Sequence, residues 1–153
     1  MSADRELAAE VTVAAPAARV WQVLTDFRNL AAASPELMAM TPLKPGGLRE
    51  GQWYVGWNRR KAAVWPTRNV VAEVVLNQRL VWDTTSSGAR WIYQLAPIGD
   101  HTRLSLRRPV PHRLTSMSGL FATAFLGGAQ SHADELEAGM RTTLEYLKSV
   151  AER

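Results

Sequence analysis

The run Glu10-Val11-Thr12-Val13-Ala14-Ala15-Pro16-Ala17-Ala18-Arg19-Val20-Trp21-Gln22-Val23-Leu24-Thr25-Asp26 decides the fold. It opens inside a strand predicted over Leu7 to Ala14, where Leu7, Ala9, Val11 and Val13 share one face and Glu10 and Thr12 the other. That alternation is the two-residue period of an extended chain. Pro16 then sits where a first helical residue tolerates the missing N–H. Val20, Val23, Leu24 and Phe27 follow at the spacing of a single helical stripe. Asp26 ends this helix, and its carboxylate can accept the free N–H groups of a second short helix over Phe27 to Ala33. Ser34-Pro35 breaks the pattern, because the residue before a proline avoids helical dihedrals.

Working outward, the chain changes to strands separated by turn residues. The predicted strands are Met38 to Leu43, Gln52 to Arg59, Arg68 to Leu76, Arg79 to Thr84, Arg90 to Leu95 and Arg103 to Arg108. Gly46-Gly47, Asn77-Gln78, Ser86-Ser87-Gly88 and Gly99-Asp100 supply the turns. Pro66 is expected at the entrance of the fourth strand, where it removes no ladder bond. The last quarter is helical: Leu136, Met140, Leu144, Leu147 and Ala151 recur on one apolar face. Gly127-Gly128 separates that helix from Leu120 to Leu126, which reads either as an earlier helical turn or as a lid.

Composition bounds the function. The 153 residues suffice for one domain, 1–153, with a sizeable core, and the 46% hydrophobic content is that of a globular protein. No apolar run is long enough to span a bilayer. Met1 to Glu6 carries both charge signs and leads into no apolar stretch, so no secretory signal is read and the cytoplasm is the expected location. The absence of cysteine removes disulfides, thiolate nucleophiles and Cys-based metal sites.

The net charge of +4 is spread from Arg5 to Arg153 and reads first as a solvated surface. Arg59-Arg60-Lys61 is expected at a solvated hairpin tip. Trp57 and Trp65 flank it, but a nucleic-acid surface would need aromatics interleaved on the same exposed face, and no nucleic-acid partner is expected. His101, His112 and His132 stand at no metal-ligand spacing, and His132 with Glu135 on one helix face is a common coincidence. Neither a metal nor a cofactor is expected. Gly46-Gly47 and Gly127-Gly128 lack the flanks of a phosphate loop. Ser116, Ser118 and Ser131 lack the context of a nucleophile elbow.

Strand, two short helices, about six further strands and a long helix form the pattern of an antiparallel sheet wrapped around a C-terminal helix. The residues of this chain resemble the START-like (helix-grip) superfamily, and within it the polyketide cyclase/dehydrase, or SRPBCC, branch. The resemblance rests on Val11-Thr12-Val13-Ala14-Ala15-Pro16, Val20-Trp21, Asp26, Gly51, Arg79-Leu80-Val81-Trp82, Trp91-Ile92-Tyr93-Gln94-Leu95 and Gly99-Asp100-His101-Thr102-Arg103-Leu104. It covers nearly the whole chain. It implies an α+β helix-grip fold, with about seven antiparallel strands around a long C-terminal helix and two short helices after the first strand. It also implies a cavity between sheet and helix that accepts a small apolar or aromatic molecule. Many members follow the aspartate with a Trp-Pro-x-Trp-like segment, whereas this chain has Phe27-Arg28-Asn29-Leu30-Ala31-Ala32-Ala33-Ser34-Pro35. Small residues therefore stand where the resemblance would put aromatics at the cavity mouth.

Five of the six tryptophans, Trp53, Trp57, Trp65, Trp82 and Trp91, fall among the strands. Indole carries a large apolar area and one N–H donor, which suits a pocket that orients a ring system; plain core packing is the competing reading. Trp53, Val55 and Trp57 share one face of their strand, as do Leu80 with Trp82, and Trp91 with Tyr93 and Leu95. The expected lining is Met38, Met40, Trp53, Trp57, Trp82, Trp91, Tyr93, Phe121 and Phe125, the methionines giving an adaptable wall.

A dry, empty pocket of about 300 Å³ would cost roughly 7 kcal/mol at about 24 cal/mol per Å³. That is comparable with the roughly 5–15 kcal/mol stability of a whole domain. Such a cavity is expected to be small, watered by polar liners, or occupied. Two functions compete. One is a carrier, sensor or buffer for the apolar molecule. The other is a cyclase or dehydratase that folds a poly-β-ketone chain and moves a proton at an enolisable carbon, with Tyr93, Arg68, Gln94 and His112 as candidate acid or base. Oligomeric state is left open.

Overall fold

The computed structural model describes residues 6–34, 37–85, 87–109 and 129–153, with side chains of the last stretch from Ala133 onward. Its elements are β1 (Leu7–Val13), α1 (Ala17–Thr25), α2 (Phe27–Ala33), β2 (Leu37–Pro42), β3 (Trp53–Arg60), β4 (Ala63–Val75), β5 (Arg79–Thr84), β6 (Ala89–Ile98), β7 (His101–Arg108) and α3 (Ala129–Ala151). The seven strands form one sheet in the order β1-β7-β6-β5-β4-β3-β2, and every pairing is antiparallel. From β2 to β7 each strand pairs with the next in sequence. Only β1 arrives from the far end of the chain. This is the α+β helix-grip arrangement expected from the sequence.

The opening run folds as read. Leu7, Ala9, Val11 and Val13 are buried while Ala8, Glu10 and Thr12 are exposed. In α1, Val20, Val23 and Leu24 of the expected stripe are buried, as is Trp21; Phe27, its fourth member, belongs instead to α2 because the helix breaks at Asp26. The Asp26 carboxylate accepts the Arg28 backbone N–H at the start of α2. One detail differs: Pro16 is the residue before α1, in extended geometry, and its carbonyl accepts the N–H groups of Arg19 and Val20. A proline there loses no bond, since its own N–H would have had no helical partner. The buried Thr102 hydroxyl donates to Ala15 O at 2.8 Å and pins this corner to β7.

Helix α3 lies against β1, α1, α2 and β7. Met140, Leu144, Leu147 and Ala151 are buried and Leu136 packs beside them, which is the stripe read from sequence. Its charged side chains also reach β1, an edge strand. The Ala8 N–H donates to Glu137 at 3.0 Å, the Ala14 N–H to Glu152 at 2.7 Å, and Lys148 Nζ to Thr12 O at 2.9 Å.

Two expectations change. β4 begins at Ala63, and Pro66 lies inside it opposite Trp57. The proline is tolerated because β5 reaches only as far as Thr84, opposite Asn69. At Pro66, β4 therefore has a neighbour on one side alone, where a missing donor disturbs no second ladder. The tip of the β3–β4 hairpin is also less solvated than expected. Lys61 occupies the left-handed turn position with φ 56°, whereas Arg60 turns back to Glu135 of α3 at 2.8 Å.

Candidate functional site

Register determines which side chains face α2 and α3. Starting from buried Val11 and Leu104, the pairings carry the inner face through Leu95, Tyr93 and Trp91 of β6 and Leu80 and Trp82 of β5. It continues through Val71 and Asn69 of β4 to Tyr54, Gly56 and Asn58 of β3, and then to Met40 of β2.

A hollow of about 470 Å³ opens at the α2 end of this face. Phe27 and Ala31 of α2 form one wall and Met38, Met40 and Pro42 of β2 the other, with Tyr54 between them. The bulge between Leu37 and Ala39 makes Met38 the additional residue of β2. Asp26 and Arg28 stand at the rim, paired at 2.7 Å. That bond holds the Asp26 carboxyl below its ordinary value, the Arg28 side chain being the main cause.

Behind the hollow lies a run of aromatic rings. Phe27 meets Tyr54 edge-on with centroids 5.1 Å apart and Trp82 at 6.1 Å, and Trp82 meets Tyr93 at 5.3 Å. Edge-to-face contacts at such spacing are favourable beyond their area alone. Burial pushes the Tyr93 phenol well above its ordinary range and raises that of Tyr54, so both hydroxyls stay protonated at neutral pH.

A polar line crosses the same face. Trp91 Nε1 donates to the Thr84 hydroxyl at 3.1 Å, which donates to Asn69 Oδ1 at 2.6 Å. Asn69 Nδ2 approaches Thr67 Oγ1 at 3.3 Å and Met40 Sδ at 3.9 Å, and Asn58 Nδ2 reaches Thr67 Oγ1 at 3.1 Å. Gly56 makes room for this group. A Cβ there would stand 2.8 Å from Thr67 Oγ1 and 3.1 Å from Asn69 Nδ2.

The expected lining divides. Met38 and Met40 line the hollow; Trp82, Trp91 and Tyr93 face inward behind it. Trp53 and Trp57 lie on the opposite face, because their cross-strand partners are Val70 and Pro66 rather than the inward Asn69 and Thr67. Trp57 is 42% exposed, and Trp53 borders a separate outer groove with Val55, Leu43, Lys44 and Arg68. Expectations for Phe121 and Phe125, for a lid at 120–126 and for His112 fall outside the described residues. Of the candidate acids and bases, Tyr93 is inward and buried, Arg68 borders the outer groove and Gln94 is exposed. Trp65 pairs with Asn58 and so faces inward, away from Trp57; the two do not make a shared exposed platform beside Arg59. Among the described residues no three His, Asp or Glu side chains group as metal ligands.

Sequence patterning does not mark Tyr54, Asn69 or Thr84 as site residues, and it gives Phe27 only as part of a helical stripe. For Tyr54 and Asn69 the available signal was alternation: Tyr54-x-Gly56-x-Asn58 is the less apolar set of β3, and Thr67-x-Asn69-x-Val71 is its partner.

The family model described as polyketide cyclase / dehydrase and lipid transport matches residues 4–152. No curated protein matches the chain. Solved structures share its fold. The KanY protein superposes with TM-score 0.71 at 18% identity, over 98% of this chain and 99% of its own. A Nitrosomonas europaea protein gives 0.68 at 17% identity, over 98% and 96%. The di-domain ARO/CYC protein StfQ of the steffimycin biosynthetic pathway gives 0.73 at 14% identity, over 97% of this chain and 51% of StfQ. This chain thus spans about half of that two-domain protein.

Proposed function

The chain belongs to the polyketide cyclase / dehydrase and lipid transport family, and on that premise we propose that it binds a small apolar or aromatic molecule between the sheet and the helices. In this reading residues 1–153 act as one ligand-binding domain, a carrier, sensor or buffer working in the cytoplasm. The observation that carries it is the open hollow of about 470 Å³ walled by Phe27, Met38 and Met40 and backed by the Tyr54, Trp82 and Tyr93 rings. Its volume lies within the range of small-molecule sites. Methionine walls adapt to the shape of a guest, and aromatic rings hold it by stacking. Among the described residues no helix is long and apolar enough to cross a membrane.

Titration with the neutral dye N-phenylnaphthylamine tests the reading. Saturable enhancement at one dye per chain, weakened by Met40→Arg, is the expected result. No saturable enhancement would count against it.

A second reading, a cyclase or dehydratase acting on a poly-β-ketone chain in the same cleft, draws support from Tyr93. A buried phenol held protonated can donate to a carbonyl oxygen while a neighbouring carbon enolises. StfQ, a protein of the same fold, is described as an ARO/CYC protein. Conversion of a short poly-β-ketone thioester to a ring product, lost in Tyr93→Phe, would favour this reading over simple carriage.

A further inference from the structure

We propose that the outer face of β2, β3 and β4 docks on anionic lipid bilayers, from which the apolar guest of the cleft is taken up. The uptake, though not the docking, rests on the cleft-binding reading above. Between Leu37 and Ala72 the sequence has six basic residues, Lys44, Arg49, Arg59, Arg60, Lys61 and Arg68, against one acid, Glu50. That excess of five is larger than the +4 of the whole chain, so the remaining residues sum to −1.

The sheet turns much of this charge to one side. Trp57 pairs with Pro66, Val55 with Arg68 and Arg59 with Val64, and all six share the outward parity. Arg60, of the opposite parity, turns back to Glu135 of α3. Lys44 and Arg68 flank the outer groove of about 450 Å³, whose apolar part is Leu43, Trp53 and Val55.

The rest of the outer face is different. There Arg79 is neutralised by Glu73, Arg90 by Asp83, Arg103 by Glu10 and Arg107 by Glu6. Among the described residues no carboxylate pairs with Lys44, Arg59 or Arg68.

Beside these free cations, Leu43, Trp57 and Val64 stand 54%, 42% and 55% exposed. Apolar side chains left in water and rimmed by charge mark a contact surface. A bilayer interface meets both demands. Its headgroups draw the bases, and tryptophan and aliphatic groups enter the zone beneath while Lys and Arg stems lie along it with their charges at the phosphates. A nucleic acid would match the charge but needs rings on which its bases stack, where this face offers Leu43, Val55 and Val64.

Strand β2 joins this face to the hollow. It is the edge strand; its Met38, Met40 and Pro42 wall the hollow, and Leu43, the next residue, borders the outer groove. A guest leaving the bilayer at this edge has one strand to pass.

Flotation of the full chain with vesicles tests the docking, using phosphatidylcholine alone and phosphatidylcholine mixed with an equal amount of phosphatidylglycerol. Binding to the mixed vesicles and not to the neutral ones is expected. It should weaken between about 0.1 M and about 1 M salt, where the reach of a charge falls from about 10 Å to about 3 Å. Each base near an anionic surface strengthens binding about fivefold, so Lys44→Gln with Arg68→Gln should lower affinity about 25-fold. Arg79→Gln with Arg103→Gln removes the same net charge from the neutralised half and should change affinity less than about threefold. Absence of binding to the mixed vesicles would overturn the proposal. So would equal losses in the two double variants, which would mean that net charge and not this face governs binding, or a gel shift of duplex DNA without vesicle binding. Titration of the same protein with N-phenylnaphthylamine keeps the two readings apart. Dye binding without vesicle binding removes only the docking face, and vesicle binding without dye binding removes only the cleft.

Discussion

Trp82 and Trp57 are the same residue type in the same sheet, yet they live in different surroundings. Trp82 is 8% exposed and touches Phe27 and Tyr93, while Trp57 is 42% exposed and looks away from the helices. The difference is one of parity. Trp82 pairs with inward Trp91, and Trp57 pairs with Pro66 on the outer side. In a sheet whose strands are apolar on both faces, size and hydrophobicity say little about which side chains meet a guest. The pairing register does.

Two pairs of substitutions would break or sharpen this contrast. The largest effect is expected for Trp82→Ala, which removes two ring contacts and leaves a void in the core, at a cost of about 3–5 kcal/mol. Trp57→Ala should cost less than about 1 kcal/mol, since its ring faces solvent. Urea unfolding of the two variants side by side measures the gap, and equal losses would show that the two faces are energetically alike. Next comes Gly56→Ala, which places a methyl 2.8 Å from Thr67 Oγ1 and should destabilise by about 1–3 kcal/mol. The same addition on the outer face, Val55→Ile, should do much less.

A moderate effect is expected at the rim, where Asp26→Ala removes the cap of α2 and should cost about 1 kcal/mol. Because the Arg28 hydrogen bond lowers the folded-state pKa of Asp26, its contribution is present above the ordinary aspartate range. It fades as pH falls through the depressed value. Stability measured against pH should lose that acid-side slope in Asp26→Ala. A variant curve parallel to that of the parent chain would show that the carboxylate adds nothing there.

What the sequence made legible was periodicity within one element. The β1 alternation, the α3 stripe, the Val20, Val23 and Leu24 part of the α1 stripe and the Asp26 cap each depend on a few neighbouring residues, and each folds as read. What it hid depends on two elements at once. Trp53-x-Val55-x-Trp57 looks like the core face of β3 because it is the more apolar set, yet Tyr54-x-Gly56-x-Asn58 faces inward. The bulge between Val71 and Glu73 shifts parity again within β4. Pro66 read as a strand entrance because the short reach of β5, which makes it tolerable, cannot be seen from β4 alone.

The side chains that α3 extends to β1 also bear on how copies of this chain behave towards one another. An edge strand with bare N–H and C=O groups is a template on which another strand can grow. Here Glu137, Lys148 and Glu152 occupy the positions along β1 where a foreign strand would bond. The bond from the Ala14 N–H is the main cause that lowers the pKa of Glu152, so this guard holds through neutral pH and fails only as acid protonates it. We expect acid-induced fibrils to start from this edge and Glu152→Gln to bring their onset to higher pH. Thioflavin fluorescence against pH would show it, and identical onsets for variant and parent would argue that polymerisation begins elsewhere.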